Sequence, residues 1–298
     1  MSNESVSPET KRDFFRWQPA AWLRVSGADA ETFLQGQFTN DLRTLAGGQG
    51  VYGLWLNHKG RVMADSFVLR AASGEFWVGS YFCPAALIKE RLEAFIIADD
   101  VAVEDVTEQW RAVTLFGATA DSQSVNPPVG CCFAGRRGQE AHREYVFPRA
   151  AESELESQWW GGRERDAGEI ERLRIQSGLP AVPADIGPTE LPNEGGLENE
   201  AISFTKGCYL GQEVMARLKS MGQVRRRLLR LRGKGESPAR GAALHQAGRR
   251  IGEMKTAVPV ADGFIGFGLM TLLGLRVEEP VTVSTDGGGE SIWMERHE

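Results

Sequence analysis

Runs of apolar residues with helical or alternating spacing divide the chain into two stretches of different character. In the first, Asp29 stands where it can cap a short helix carrying Phe33 and Leu34. Val51 to Leu56, Val62 to Arg70 and Phe76 to Gly79 are rich in β-branched and aromatic residues and read as strands. Pro84 then opens a helix at a favoured position, with Leu87, Ile88, Leu92, Phe95 and Ile96 as its apolar stripe. Val101 to Val106 and Ala112 to Phe116 are strands again. Asp121 to Gly138, rich in Pro, Gly and Ser, reads as loop around one short strand. Helices follow over Ala150 to Trp160 and Asp166 to Gln176. Strands and helices mix without strict alternation, which predicts an α+β fold rather than a doubly wound sheet.

From Arg225 onward the pattern changes. Short alternating runs appear at Leu228 to Leu231, Arg250 to Val258, Phe264 to Met270, Val281 to Thr285 and Ile292 to Glu295. Glycine turns separate them and no helical run remains, so a small C-terminal β-barrel is expected. The expected division is residues 1–224 and 225–298. There is no internal repeat.

The chain has 298 residues, 42% hydrophobic and 25% charged, with a net charge of −6. This is ordinary globular composition, and its acidity argues against a general nucleic-acid binder. Cys83, Cys131, Cys132 and Cys208 form no C-x-x-C pair and no Cys/His cluster with zinc spacing, so no metal site is expected. Met1 to Asp13 is polar and unlike a signal peptide. No run approaches the roughly 18 apolar residues of a membrane span. A reduced cytoplasmic protein that does not enter membranes is the expectation.

Gly48-Gln49-Gly50-Val51-Tyr52-Gly53 matches G-x-G-x-x-G literally. A dinucleotide fingerprint needs a strand before it and a helix after it, whereas here a strand follows. It reads as a glycine-rich turn. The densest chemistry lies elsewhere, in Lys206-Gly207-Cys208-Tyr209-Leu210-Gly211-Gln212-Glu213. Val214 to Lys219 carries apolar residues at helical spacing, so Cys208 is expected just ahead of a helix N-terminus. A helix start and a nearby lysine favour a thiolate. Arg217 to Lys234 then holds eight basic residues and no acidic one. That segment reads either as a solvated strand face or as an anion-attracting patch.

The octet resembles the signature of the YgfZ family, folate-binding relatives of the glycine-cleavage T protein. A mitochondrial iron–sulfur assembly factor carries nearly the same motif. Gly27-Ala28-Asp29 leading to Phe33 through Leu42, Leu56 through Arg61, and Leu173-Arg174-Ile175-Gln176-Ser177-Gly178-Leu179-Pro180 are similar to further family segments. The resemblance implies two interleaved α+β lobes around a central folate cleft, followed by a β-barrel. It implies tetrahydrofolate or a derivative as cofactor. It also implies Cys208 as a functional thiol, either nucleophile, redox group or shared cluster ligand. Lys206, Gly207, Tyr209, Gly211, Gln212, Glu213, Gln176, Arg217 and Trp22 are the folate-site candidates carried over with it.

Two departures matter. Gly79 to Ala86 lacks the carboxylate that T-protein aminomethyltransferases place there, and Gln176 stands where many relatives have glutamate. The resemblance therefore implies an accessory protein that binds folate and supports iron–sulfur enzymes or their assembly factors. Those enzymes include ones that modify transfer RNA, which makes any link to tRNA indirect. The alternatives are a folate-dependent aminomethyltransferase and a tRNA-contacting module that uses Arg217 to Lys234.

Overall fold

The computed structural model describes residues 12–117, 129–159, 162–222, 224–283 and 291–295. The chain starts in one sheet, builds a second, and then returns to the first. Strand β1 (Phe14–Trp17) pairs with β7 (Trp110–Phe116), which continues through β9 (His142–Pro148) to β8 (Cys131–Ala134). Between β1 and β7 the chain forms a separate five-stranded sheet. Its strands are β2 (Ala21–Ser26), β3 (Gly50–Leu56), β4 (Val62–Arg70), β5 (Phe76–Ser80) and β6 (Ala102–Asp105), in the order β3-β4-β5-β2-β6. All pairings in both sheets are antiparallel. This excursion and return is the interleaving expected of the two lobes.

The lobes share one core. Trp22 stacks on Phe133 from the other sheet at 6.4 Å, and Phe67 meets the same ring at 4.9 Å. Strand β4 is buried along most of its length because both faces are covered, which explains its nearly unbroken apolar run. Helix α1 (Ala30–Gln37) buries Phe33 and Leu34, and α2 (Ala85–Glu93) buries Ile88 and Leu92. Helix α3 spans Glu152–Trp159 and α4 spans Ala167–Gln176. A capping box starts α4: Asp166 accepts from the Glu169 N–H, and Glu169 accepts from the Asp166 N–H. Helix α5 (Gln212–Met221) follows the octet.

The C-terminal strands are β10 (Arg226–Gly233), β11 (Ala243–Gln246), β12 (Arg249–Val260), β13 (Gly263–Thr271) and β14 (Ile292–Met294), in the order β11-β12-β13-β10-β14. The sheet curls, and Val281 and Thr282 bridge its two edges. Val281 exchanges backbone hydrogen bonds with Ile292, and Thr282 with His245. Strand β13 shows the two-residue period clearly. Phe264 and Met270 fill the curled sheet, while Ile265, Phe267 and Leu269 on the opposite face join the lobe core. The C-terminal sheet is thereby seated against the lobes.

Several local expectations change. Asp29 precedes α1, but its side chain makes no cap; its carboxylate accepts from the Asp100 N–H at 2.8 Å. Helix α2 ends at Glu93, so Phe95 leaves the stripe and is partly exposed. Strands β1, β2, β9 and β11 lie outside the runs that the apolar pattern picks out. In β9 the charged pair Arg143-Glu144 masks the alternation, because the Glu144 carboxylate is itself buried. Part of the Asp121 to Gly138 loop, the helix end at Trp160, and Thr285 lie outside the described residues.

Candidate functional site

The octet is held at the junction of three local elements. Gly211 has φ +87°, and a Cβ there would lie 2.8 Å from the Asn57 carbonyl oxygen. Only glycine fits that approach without strain. The Leu210 N–H donates to the Gly36 carbonyl at 3.2 Å, tying the octet to the end of α1.

Within this frame the side chains divide by direction. Lys206 is 4% exposed, and its Nζ donates to the carbonyl oxygens of Gln35 (2.7 Å), Phe38 (2.6 Å) and Asn40 (2.9 Å). Burial brings its pKa down to about 8. The cation expected beside the thiol is therefore directed inward, onto the chain leaving α1. Tyr209 is also buried, with the Lys206 Nζ 5.3 Å from its ring centroid. Gly207, Cys208, Glu213 and Arg217 are exposed, and Gln212 opens α5 half-buried. Glu213 lies in the first turn of α5, where a carboxylate favours the helix dipole. The Cys208 thiol makes no side-chain hydrogen bond or ion pair among the described residues. Of the four cysteines it alone is exposed.

One other candidate needs correction. Trp22 is 1% exposed, stacked against Trp77 at 5.8 Å and close to Trp110 and Phe133. It is a core residue. Gln176 is exposed at the end of α4, and its carbonyl accepts from the Arg230 guanidinium.

A cavity of about 430 Å³ opens where the two lobes, α4 and the C-terminal sheet meet. None of the octet, Gln176, Arg217 or Trp22 lines it. Its walls include Phe15, Tyr81, Phe82, Ile170 and Val258, with the guanidinium groups of Arg136, Arg137 and Arg174 and the carboxylate of Glu171. Mostly apolar and aromatic walls with a few fixed polar groups are the usual make-up of a small-molecule site. Arg137 is the most constrained of these groups. Its guanidinium lies 3.7 Å from the Tyr81 ring centroid and 4.4 Å from that of Trp17. Its Nε donates to Glu144 at 3.1 Å, and Glu144 also accepts from Tyr81 and Thr114. The Arg137 Nη2 is buried without a protein partner. A buried donor left open beside a cavity is suited to an acceptor on a ligand.

Behind the Tyr81 side of this cavity sits a carboxylate that the sequence reading missed. Asp65 on β4 is 4% exposed and accepts from Ser80 Oγ (2.9 Å), Cys83 Sγ (3.3 Å) and Tyr52 Oη (3.0 Å). Burial pushes its carboxyl up, against the opposing influence of these donors and of Arg136. Gly79 to Ala86 has no acidic residue of its own, but Asp65 delivers one to Ser80 and Cys83 from the neighbouring strand. The available signal was a single acidic residue in a mostly apolar buried strand.

Half of the basic segment is neutralised. Arg226 pairs with Glu194, Arg227 with Glu198, and Arg230 and Arg232 with Glu295. Arg217, Lys219, Arg225 and Lys234 have no carboxylate partner among the described residues. Among those residues, too, no group of three or more His, Cys, Asp or Glu side chains is placed to hold a metal ion, and no helix is long and apolar enough to cross a membrane.

Comparison with known proteins bears on the fold. Residues 15–123 match the GCVT N-terminal domain. The chain is 28% identical over 246 residues to an iron–sulfur cluster assembly factor IBA57 homolog, mitochondrial, of Cryptococcus neoformans, a match covering 70% of this chain and 63% of that protein. It is 29% identical over 269 residues to the tRNA-modifying protein YgfZ of Edwardsiella ictaluri, covering 83% and 80% of the two chains. The glycine cleavage system aminomethyltransferase T of Bartonella henselae superposes with a TM-score of 0.77 at 19% identity, covering 96% of this chain and 85% of that one. The interleaved lobes with a curled C-terminal sheet are thus the T-protein fold. Over residues 15–123 the chain is similar to the GCVT N-terminal domain, and over most of its length to the YgfZ and IBA57 proteins.

Proposed function

We propose that this protein binds tetrahydrofolate or a derivative in the cavity between its lobes and supports the assembly or repair of iron–sulfur enzymes, including those that modify tRNA. It acts in the cytoplasm as an accessory protein, and its partners are those enzymes or their assembly factors. The first 224 residues form the folate-binding part, and residues 225–298 form a β-barrel domain that closes one side of the cavity. The observation that carries the reading is the cavity itself. Phe82 offers apolar surface for a flat ring, and the Nη2 of Arg137, without a protein partner, offers a donor to a ring oxygen or nitrogen. Bound tetrahydrofolate supplies a carrier of one-carbon units.

The names of the relatives supply the iron–sulfur and tRNA parts of the reading. Cys208 is then an exposed thiol presented to a partner. The test is complementation. Cells lacking the protein should lose iron–sulfur enzyme activity, regain it with the wild type, and fail to regain it with Cys208→Ala. Full rescue by a folded Cys208→Ala protein contradicts the role of the thiol.

One observation favours a second reading, folate-dependent one-carbon transfer. Asp65 restores a carboxylate to the loop where such enzymes need one. Ammonia release from an aminomethylated carrier protein separates the two readings. The accessory role predicts none above background.

A further inference from the structure

A second cavity, of about 540 Å³, lies beside α5 and away from the interlobe site. Its polar lining comes from Arg61, Asn193, Glu194, Arg225, Arg226 and Thr271. The Glu194 carboxylate is fully engaged. It accepts from Arg226 Nε at 2.8 Å, Arg226 Nη2 at 3.1 Å and the Leu191 N–H at 2.8 Å, with Arg61 Nη1 3.8 Å away. Arg226 and Arg61 approach this one carboxylate, Arg61 Nη1 also donating to the Thr189 carbonyl at 2.7 Å, and Arg225 lines the cavity with no carboxylate partner among the described residues. The lining carries an excess of positive charge.

A second, independent feature points to a ligand. Asn193 is 9% exposed, and its Oδ1 is buried with no hydrogen-bond partner. A buried acceptor left unpaired costs about 1–3 kcal/mol. A hydroxyl donor in the cavity relieves that cost. Leu191, Leu218 and Val224 supply an apolar wall between these groups. An oligoglutamate chain would match the charges but leave that wall uncovered. A sugar or base ring covers it, and the volume suits one small molecule.

We propose that this cavity binds a ribonucleotide, either free or within an RNA strand. The phosphate faces Arg225 and its neighbouring arginines, a ribose hydroxyl donates to Asn193 Oδ1, and the rings cover Leu191, Leu218 and Val224. The site is distinct from the proposed folate cavity.

The test titrates the full-length protein by calorimetry with 5′-AMP, 2′-deoxy-5′-AMP, inorganic phosphate, a short oligoglutamate, and single-stranded RNA and DNA of one sequence. The ribo form should bind about tenfold more tightly than the deoxy form, which is the loss of one hydrogen bond to a buried acceptor. Arg225→Ala, an exposed change, should weaken the ribo form by about tenfold and leave tetrahydrofolate binding unaltered. Asn193→Ala should abolish the difference between ribo and deoxy forms. Binding by the mononucleotide assigns the site to free nucleotides, and binding by the RNA strand alone assigns it to RNA. Equal binding of ribo and deoxy forms, binding of phosphate or oligoglutamate alone, or insensitivity to Arg225→Ala overturns the proposal.

Discussion

The Lys206 ammonium donates to the Phe38 carbonyl oxygen at 2.6 Å, with Gln35 and Asn40 completing the cradle. This contact fixes the octet to the end of α1 and leaves Cys208, two residues further on, facing solvent. The lysine of the signature thus acts as a clasp across the fold, while the cysteine is the group on display.

Replacing Lys206 by Met should destabilise the protein by about 2–4 kcal/mol, because three buried carbonyls lose a charged donor. The effect depends on pH with a definite sign. The folded-state pKa is about 8, below the ordinary lysine value of 10.5. Between those values the folded protein releases the proton while the unfolded chain keeps it, so stability from this group rises with pH. Urea unfolding at pH 7 to 10 should show the wild type gaining on Lys206→Met above pH 8. A constant difference contradicts the assignment.

Cys208 should react first with iodoacetamide near neutral pH. Burial pushes the Cys131 thiol up to about 12 and raises that of Cys83 as well, and Cys83 is enclosed by Asp65 and the Val182 carbonyl. Peptide mapping after brief labelling should find the adduct at Cys208 before either. Cys208→Ala should change stability by no more than about 0.5 kcal/mol, as expected for an exposed site. Earlier labelling of Cys83 means the loop between β5 and α2 opens.

Asp65→Ala should cost about 2–4 kcal/mol, since Ser80, Cys83 and Tyr52 lose their shared acceptor inside the core. Asp65→Asn isolates the charge. Because the folded carboxyl pKa is raised, the stability this group contributes is present at low pH and lost as pH rises through the folded value. The wild type's advantage over Asp65→Asn, measured by thermal unfolding, should therefore shrink from pH 4 towards neutrality. An advantage that grows over this range means that Asp65 is held as a stabilised carboxylate.

How much of this was legible depends on whether the information is local. Strand β4, the start of α2, the helix over Asp166 to Gln176 and the glycine turn into β3 follow from neighbouring residues, and the sequence pattern found them. The octet stood out for the same reason. The direction of Lys206 was not legible, because its partners lie about 170 positions away. The Asp65 cluster joins β3, β4 and the loop before α2, and the cavity draws Phe15, Phe82, Arg137, Ile170 and Val258 from separate elements. The ion pairs of Arg226, Arg230 and Arg232 likewise depend on distant carboxylates, so the fold neutralises part of a run that is wholly basic in sequence.

Calorimetric titration of the full-length protein with tetrahydrofolate tests the central claim most directly. The account predicts saturable binding at one site, weakened about fivefold by Phe82→Ala, a loss of about 1 kcal/mol of ring contact. Phe82 is 38% exposed, so the variant should keep the wild-type fold. Absence of heat at millimolar ligand, or binding indifferent to Phe82→Ala, contradicts the assignment of folate to this cavity.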